Sequence, residues 1–436
     1  MTYDLLRGMR IVESSAFIAA PLGGLTLAQY GADVIRCDAI GGGIDYGRLP
    51  LMPSGRSLYW TSLNKGKRSI AVDIRRPEGR ELIRGLVTAP GASGGILLTN
   101  IASEWLSYDR LSAARADVIS CVIEGSSDGT TAVDYTVNCA TGYPAMTGGG
   151  SLAAPTNHAL PAWDVACALQ ASSAILAAIL RRRESGAGAD IRLALSDAAF
   201  STLAHLGLMA EVELTGKDRP ALGNDVFGAF GRDFATRDKR RIMVVAISAR
   251  QWAALVRACG LGAQIAAVEA ATGLDFAREA DRFHGRDVIA ALVKLWIEAR
   301  TLAEVAETFD THAVCWGKYQ TVASLMAEDA RVSLANPVFE QIETKGVGRH
   351  ISAGTPVRFA DLERHPTRSA PYLGENTDEV LADVLGLSSA AIGRLHDAGI
   401  VAGPALDPTF DADRSGAARP SPPSSPHSAP PLAAAS

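Results

Sequence analysis

Apolar and polar positions along the first two hundred residues fall into short blocks whose period changes from one block to the next. The run "RIVES" (10–14) has strand length, "LGGLTLAQYG" (22–31) has helical spacing and is closed by Gly31, and "ADVIRCD" (32–38) is a second strand. Pro77 opens a helix over "PEGRELIRGLV" (77–87), after which "GGILLTN" (94–100), "SYDRLSAARA" (107–116) and "DVISCVIEG" (117–125) read as strand, helix and strand. Strands separated by helices of this length need crossover connections. The pattern therefore predicts an α/β fold with a parallel, Rossmann-like sheet covered by helices on both faces. A long, almost uncharged helix follows Asp164 in "LPAWDVACALQASSAILAAILRRR" (160–183). It leads through "ESGAGA" into the strand "DIRLAL" and the helix "SDAAFSTLAHLGLMAEVEL" (196–214).

Near residue 217 the texture changes. "GNDVFGAFGRDFATRDKRRIMVVAIS" reads as a loop and a hairpin about the charged turn "TRDKRR", and helical periodicity dominates from "ARQWAALVRACG" to "TLAEVAETFDTH". The expected organisation is a large domain over 1–216, a smaller α+β domain over 217–325, and a return to the large domain over 326–406. That last part holds two short strands in "GVGRHISAGTPVRFAD" and the helix "NTDEVLADVLG". Residues 407–436 run into a Pro/Ser/Ala-rich stretch without periodicity, a composition that cannot build a core and is expected to be disordered.

Composition narrows the classes. The 436 residues are 47% hydrophobic and 20% charged with a net charge of −5, and no basic tract suits phosphate tracking, so nucleic acid is not an expected partner. The six cysteines are scattered without a C-x-x-C pair, against both a metal site and a disulfide framework and in favour of a reducing cytoplasm. The start "MTYDLLRGMR" lacks the apolar region of a signal peptide. The most apolar stretch, "VACALQASSAILAAIL", is 16 residues long, short of the roughly 20 that span a bilayer. A cytoplasmic protein without a membrane partner is the expectation.

The first strand–helix loop, "ESSAFIAAPLGG", lacks the G-x-G-x-x-G that lets backbone approach a pyrophosphate, which argues against a nicotinamide enzyme. Neither G-x-S-x-G nor H-E-x-x-H occurs, and His158, the histidine nearest Asp164 in sequence, reads as a loop residue. Two carriers of chemistry remain. Asp164 is either the cap of the long helix or a nucleophile held at the edge of an apolar, helix-walled pocket. Lys65, Lys67 and Arg68 in "NKGKRSIAVDI" (64–74) are either a solvated turn or a clamp for phosphate groups.

Four segments then act together: "LRGMRIVESSAFIAAPLGGLTLAQYGADVIRCDAIGGG", "SLNKGKRSIAVDIRRPEGRELI", "AWDVACALQASSAILAAILRRRESGAGADIRLALSDAA" and "SAPYLGENTDEVLADVLGLSSAAIGRLHDAGIV". In this order, over residues 5–401, they resemble the class III (CaiB/BaiF-like) CoA-transferases. The resemblance implies that Asp164 is the nucleophile and that Phe17, Ile18 and Ala19 lie along the CoA chain. It implies that Lys67 and Arg68 meet CoA phosphates and that Asn100 ends a strand at the site. It also implies an interlocked homodimer and no prosthetic group, CoA entering as part of an acyl-CoA substrate. Ala39 stands where family members often carry a basic residue, and "AVDYTVN" lacks the histidine of the racemase branch. "SAFIAAPLGG", "LPAWD", "VDYTVN", "GAFGRDF" and "LHDAGIVAGP" are similar to a branch that moves CoA between the two carboxyl groups of one C5 dicarboxylate, mesaconate, in carbon assimilation by the 3-hydroxypropionate route. Transfer to a separate carboxylic acid is the alternative, and a silent CoA-binding protein a more distant one. Arg48, Arg219 and Arg232 are candidates by charge for the substrate's free carboxylate, Arg232 foremost.

Overall fold

The computed structural model describes residues 2–148 and 152–410. Strands β1 (Arg10–Ser14), β2 (Asp33–Asp38), β3 (Arg68–Val72), β4 (Ile96–Thr99), β5 (Ile119–Glu124) and β6 (Ala189–Ala194) pair in parallel in the order β3-β2-β1-β4-β5-β6. β1 to β5 are buried almost end to end, as strands covered by helices on both faces must be, whereas β6 alternates at the edge. A two-residue strand, Val401–Ala402, adds antiparallel to β3, which the pattern of the sequence was too short to reveal. The strand order reverses between β1 and β4. At such a switch point the loops leaving the carboxyl ends of the two strands diverge and open a crevice.

Two helices cover this point. Ala19–Gln29 packs closely against Ala162–Ser185 at Gly23, where a Cβ would meet the Ala168 carbonyl oxygen at 3.3 Å, and on β1 at Gly24, where a Cβ would overlap the Glu13 carboxylate. The second of these helices has 24 residues, so it is longer than the 16-residue apolar run indicated, and by length and composition it is apolar enough to cross a membrane. Its buried positions (Cys167, Ala168, Ala171, Ser172, Ile175, Ala178, Ile179) recur at helical spacing, and the helix packs on Ala19–Gln29, β5 and β6 as a core helix does. A short helix that the sequence reading passed over, Leu58–Asn64, is capped by the Ser57 hydroxyl, which accepts from the Trp60 N–H.

The chain divides into two units, 1–137 with 160–202 and 333–436, and 138–159 with 203–332. The second therefore starts before the expected 217 and takes in a segment ahead of Asp164 whose polar, glycine-rich composition gave no boundary signal. It holds the antiparallel sheet β7 (Phe230–Ala235), β8 (Arg241–Ala246), β9 (Cys315–Lys318) over a core that includes Phe230, Trp252, Phe276, Val293 and Phe309. The helix expected over 196–214 is broken at Gly207, whose φ of 80° lies in the left-handed region. In the first unit the two late strands are Phe339–Thr344 and Gly348–Ala353, so the second lies within the expected stretch and the first precedes it. The expected tail over 407–436 begins too early: Asp407 is buried and bonded to the Leu373 and Thr409 N–H groups, and residues beyond 410 lie outside those described.

Candidate active site

The loop after β1 and the residue after β4 meet at the switch point. Asn100 fixes the loop from both sides: its Oδ1 accepts from the Ala16 N–H at 2.9 Å and its Nδ2 donates to the Ala16 carbonyl at 2.7 Å. Phe17 follows with a φ of 63°, a conformation costly for a bulky residue, and its N–H donates to Asp45 Oδ2 at 3.0 Å. Asp45 belongs to a buried charge layer beneath the loop. There the Arg36 guanidinium reaches Glu13, Asp38 and Asp45, and Lys67 Nζ reaches Glu13, the Pro21 carbonyl and Asn64. The layer over-determines the strained backbone, and the strain in turn presents Phe17, Ile18 and Ala19 to a cavity.

That cavity, about 420 Å³, is lined by these three residues together with Arg48, Tyr59, Asn100, Glu124, Asp134, Tyr135 and Asp164, among others. A larger one of about 800 Å³, in the second unit, is walled mainly by small and apolar side chains such as Met146, Leu208 and Met209, and its Arg219 is paired with Glu211. Chemistry and not size singles out the smaller.

Asp164 occupies the first turn of the long helix, but it does not cap it. The N–H groups of Trp163 and Asp164 donate to Asp134 Oδ2 at 2.6 and 3.1 Å, so a buried acid from a preceding segment satisfies the helix terminus. Among the described residues no side chain donates to the Asp164 carboxylate. Burial, and then the nearby Asp134 charge, push its pKa up to about 6, with Arg48 acting in the opposite sense. The result is an unengaged carboxylate, more basic than an ordinary aspartate and still largely ionised near neutrality. This is the state a carboxylate nucleophile needs.

The structure thus brings Phe17, Ile18, Ala19, Asn100 and Asp164 to one cavity. Lys67 and Arg68 are elsewhere. The Lys67 side chain is fully buried with its ammonium bonded as described, and desolvation lowers its pKa to about 8, so it has no free donor for a ligand phosphate. Arg68 pairs with Asp33 across the sheet and with Glu379 at 3.2 Å. Arg232 grips Asp225 with two nitrogens and Asp287 with one. Asp134 and Tyr59 are the site residues that sequence reasoning missed; the only signal for Asp134 was an acid in "AVDYTVN", at a separation that no local motif records.

The model of CoA-transferase family III matches residues 6–377. The chain belongs to that family. As a family III CoA-transferase it takes an acyl-CoA as substrate. It is 50% identical over 402 residues to the 2-methylfumaryl-CoA isomerase of Chloroflexus aurantiacus, covering 92% of this chain and 98% of that one. It is 27% identical to a formyl-CoA:oxalate CoA-transferase of Rhodopseudomonas palustris, over 92% and 98% of the two chains. Among solved structures, a CaiB/BaiF family protein from Brucella suis superposes with a TM-score of 0.71 at 25% identity, covering 88% of this chain and all of that one. The family frame and the parallel sheet expected from the sequence agree with the observed architecture.

Proposed function

We propose that the protein is an intramolecular CoA-transferase that converts 2-methylfumaryl-CoA (mesaconyl-C1-CoA) to 3-methylfumaryl-CoA (mesaconyl-C4-CoA). The observation that carries the reading is Asp164, a carboxylate in the cavity to which no side chain donates among the described residues, in a chain 50% identical to a protein of that activity. Asp164 attacks the C1 thioester carbonyl and CoA thiolate leaves, giving a mixed anhydride. The thiolate attacks the aspartyl carbonyl of the anhydride, which releases the dicarboxylate and leaves aspartyl-CoA. The dicarboxylate turns, its C4 carboxylate attacks the aspartyl thioester, and thiolate leaves again. Attack of the thiolate at C4 then frees the Asp164 carboxylate. The overall reaction exchanges one thioester for another, with the anhydrides as higher-energy intermediates, so retention of both fragments beside Asp164 is a main demand on the protein, and proximity can contribute several kcal/mol.

The same reading includes a cytoplasmic enzyme of the 3-hydroxypropionate route acting as an interlocked homodimer. Support comes from the family frame and from the free thiols of Cys37, Cys121, Cys167, Cys259 and Cys315, as suits a reducing compartment. The test is incubation with 2-methylfumaryl-CoA in the presence of excess isotopically labelled mesaconate and no other acid. The 3-methyl isomer is expected to form without label. Isomer that carries label, or product that forms only when another carboxylic acid is supplied, would assign the protein to intermolecular transfer.

A further inference from the structure

We propose that Arg48, assisted by the Tyr59 hydroxyl, receives the free carboxylate of the substrate and so holds the dicarboxylate in the cavity between the two transfers. The inference rests on the isomerase reading and supplies what that reading lacks, an anchor for the end of the substrate that is not reacting. Glu124, Asp134 and Asp164 all line the cavity, whereas Arg48 is the single cation among its lining residues. A thioester that also carries a carboxylate would meet repulsion there without a counter-charge. Two of those acids are already engaged, Glu124 with Arg192 at 2.9 Å and Asp134 with the helix terminus. The Arg48 side chain makes no ion pair or hydrogen bond among the described residues. Arg219 and Arg232, the other candidates by charge, are committed to Glu211 and to Asp225 and Asp287.

Arg48 is also braced. Its guanidinium carbon lies 5.3 Å from the Phe17 ring centroid and 5.0 Å from that of Tyr59, so two aromatic faces restrict the side chain before any anion arrives. Phe17 is in turn fixed by Asp45 and Tyr59 by the short helix Leu58–Asn64. The Tyr59 hydroxyl is buried without a hydrogen-bond partner, which makes it a donor placed in the cavity wall and left unsatisfied by the protein. Guanidinium and phenol together offer a carboxylate a fork and a third donor. A trans-butenedioate is close to two-fold symmetric about its double bond. One cation at a fixed place therefore serves both halves of the reaction: when either carboxyl group is bonded to Asp164, the other faces Arg48, and the turn between the halves exchanges them.

The test compares 2-methylfumaryl-CoA as substrate with tigloyl-CoA, in which a methyl group replaces the free carboxylate, as competitive inhibitor. Arg48→Gln is expected to lower kcat/KM about 100-fold, mainly through KM, the size expected for losing charge-assisted hydrogen bonds. The Ki of tigloyl-CoA should stay within about twofold by the same reasoning, since that ligand never used them. Arg48→Lys should recover part of the loss, and Tyr59→Phe should show a smaller loss of the same selectivity. Equal weakening of both ligands, or of neither, would overturn the role of Arg48 while leaving the isomerase reading in place. Failure of the unaltered enzyme to isomerise 2-methylfumaryl-CoA would overturn that reading, and the anchor with it, before any variant is compared.

Discussion

Asp164 and Asp134 divide between them two tasks that the sequence offered to one aspartate at the head of a helix. Asp134 takes the orphan N–H groups, and Asp164 is left with a carboxylate that burial and its neighbour make reluctant to ionise. The consequence is a pH dependence with opposite signs for activity and stability. Because attack needs the carboxylate, kcat/KM should rise with pH through about 6, the value to which the pKa is pushed. The folded pKa lies above the ordinary 3.8, so the contribution of this group to stability is fully present below 3.8 and is lost as pH rises through about 6. Asp164→Asn should therefore be inactive yet more stable than the unaltered protein at pH 8, on the order of 1–3 kcal/mol, with the difference vanishing below about pH 4. Thermal melts at the two pH values check this. Asp164 was conspicuous in the sequence as an acid at the head of a long uncharged helix, but the residues alone left cap and nucleophile open, and only the family resemblance implied the second. Asp134 was not conspicuous, because its role depends on which helix terminus its segment folds against.

At the level of elements, the site is a loop held between two strand ends. Asn100 makes two hydrogen bonds with the Ala16 backbone, and its loss leaves a part-buried N–H and C=O without those partners. Asn100→Ala is expected to cost about 1–3 kcal/mol in denaturant unfolding and, by letting Phe17 relax from its positive φ, to lower kcat/KM as well. An unchanged kcat/KM would show that the loop does not set the site. The parallel strands were readable because each is a short apolar run bounded by turn residues. The basic segment before β3 misled for a definite reason. A lysine's charge is visible in the sequence, but the Glu13 carboxylate that binds Lys67 is contributed by β1, 54 positions away, and only the parallel pairing of β1, β2 and β3 brings them together. The break at Gly207 escaped notice because a lone glycine in an apolar helical pattern is often tolerated.

At the scale of the whole chain, the first unit is closed by its own late residues. Asp407 accepts from Tyr46 and from the Leu373 N–H and pairs with the fully buried Arg56 at 3.3 Å, while Arg56 also donates to the Pro371 carbonyl at 2.9 Å. Asp407→Ala strands a buried guanidinium and is expected to destabilise the protein by roughly 3–5 kcal/mol, read as a lowered urea midpoint. A change under 1 kcal/mol, the scale of an exposed pair, would contradict the buried clasp. This contact explains why the composition-based tail boundary fell short: "LDPTF" has the look of a turn, and its burial comes from partners some 350 residues upstream. The division of the chain was legible only in outline for a similar reason. A change from alternating strands and helices to a hairpin and helices marks the second unit, but nothing local marks 138–159 as part of it.

The claim on which the rest depends is that Asp164 forms the covalent link to substrate. Its most direct test is to quench the turning-over enzyme with hydroxylamine, which converts an aspartyl anhydride or thioester to an aspartyl hydroxamate, and to locate the added mass by peptide mass spectrometry. The hydroxamate is expected at Asp164, dependent on 2-methylfumaryl-CoA and absent from Asp164→Asn. A modified Asp134 or Glu124, or sustained turnover by Asp164→Asn, would contradict the account.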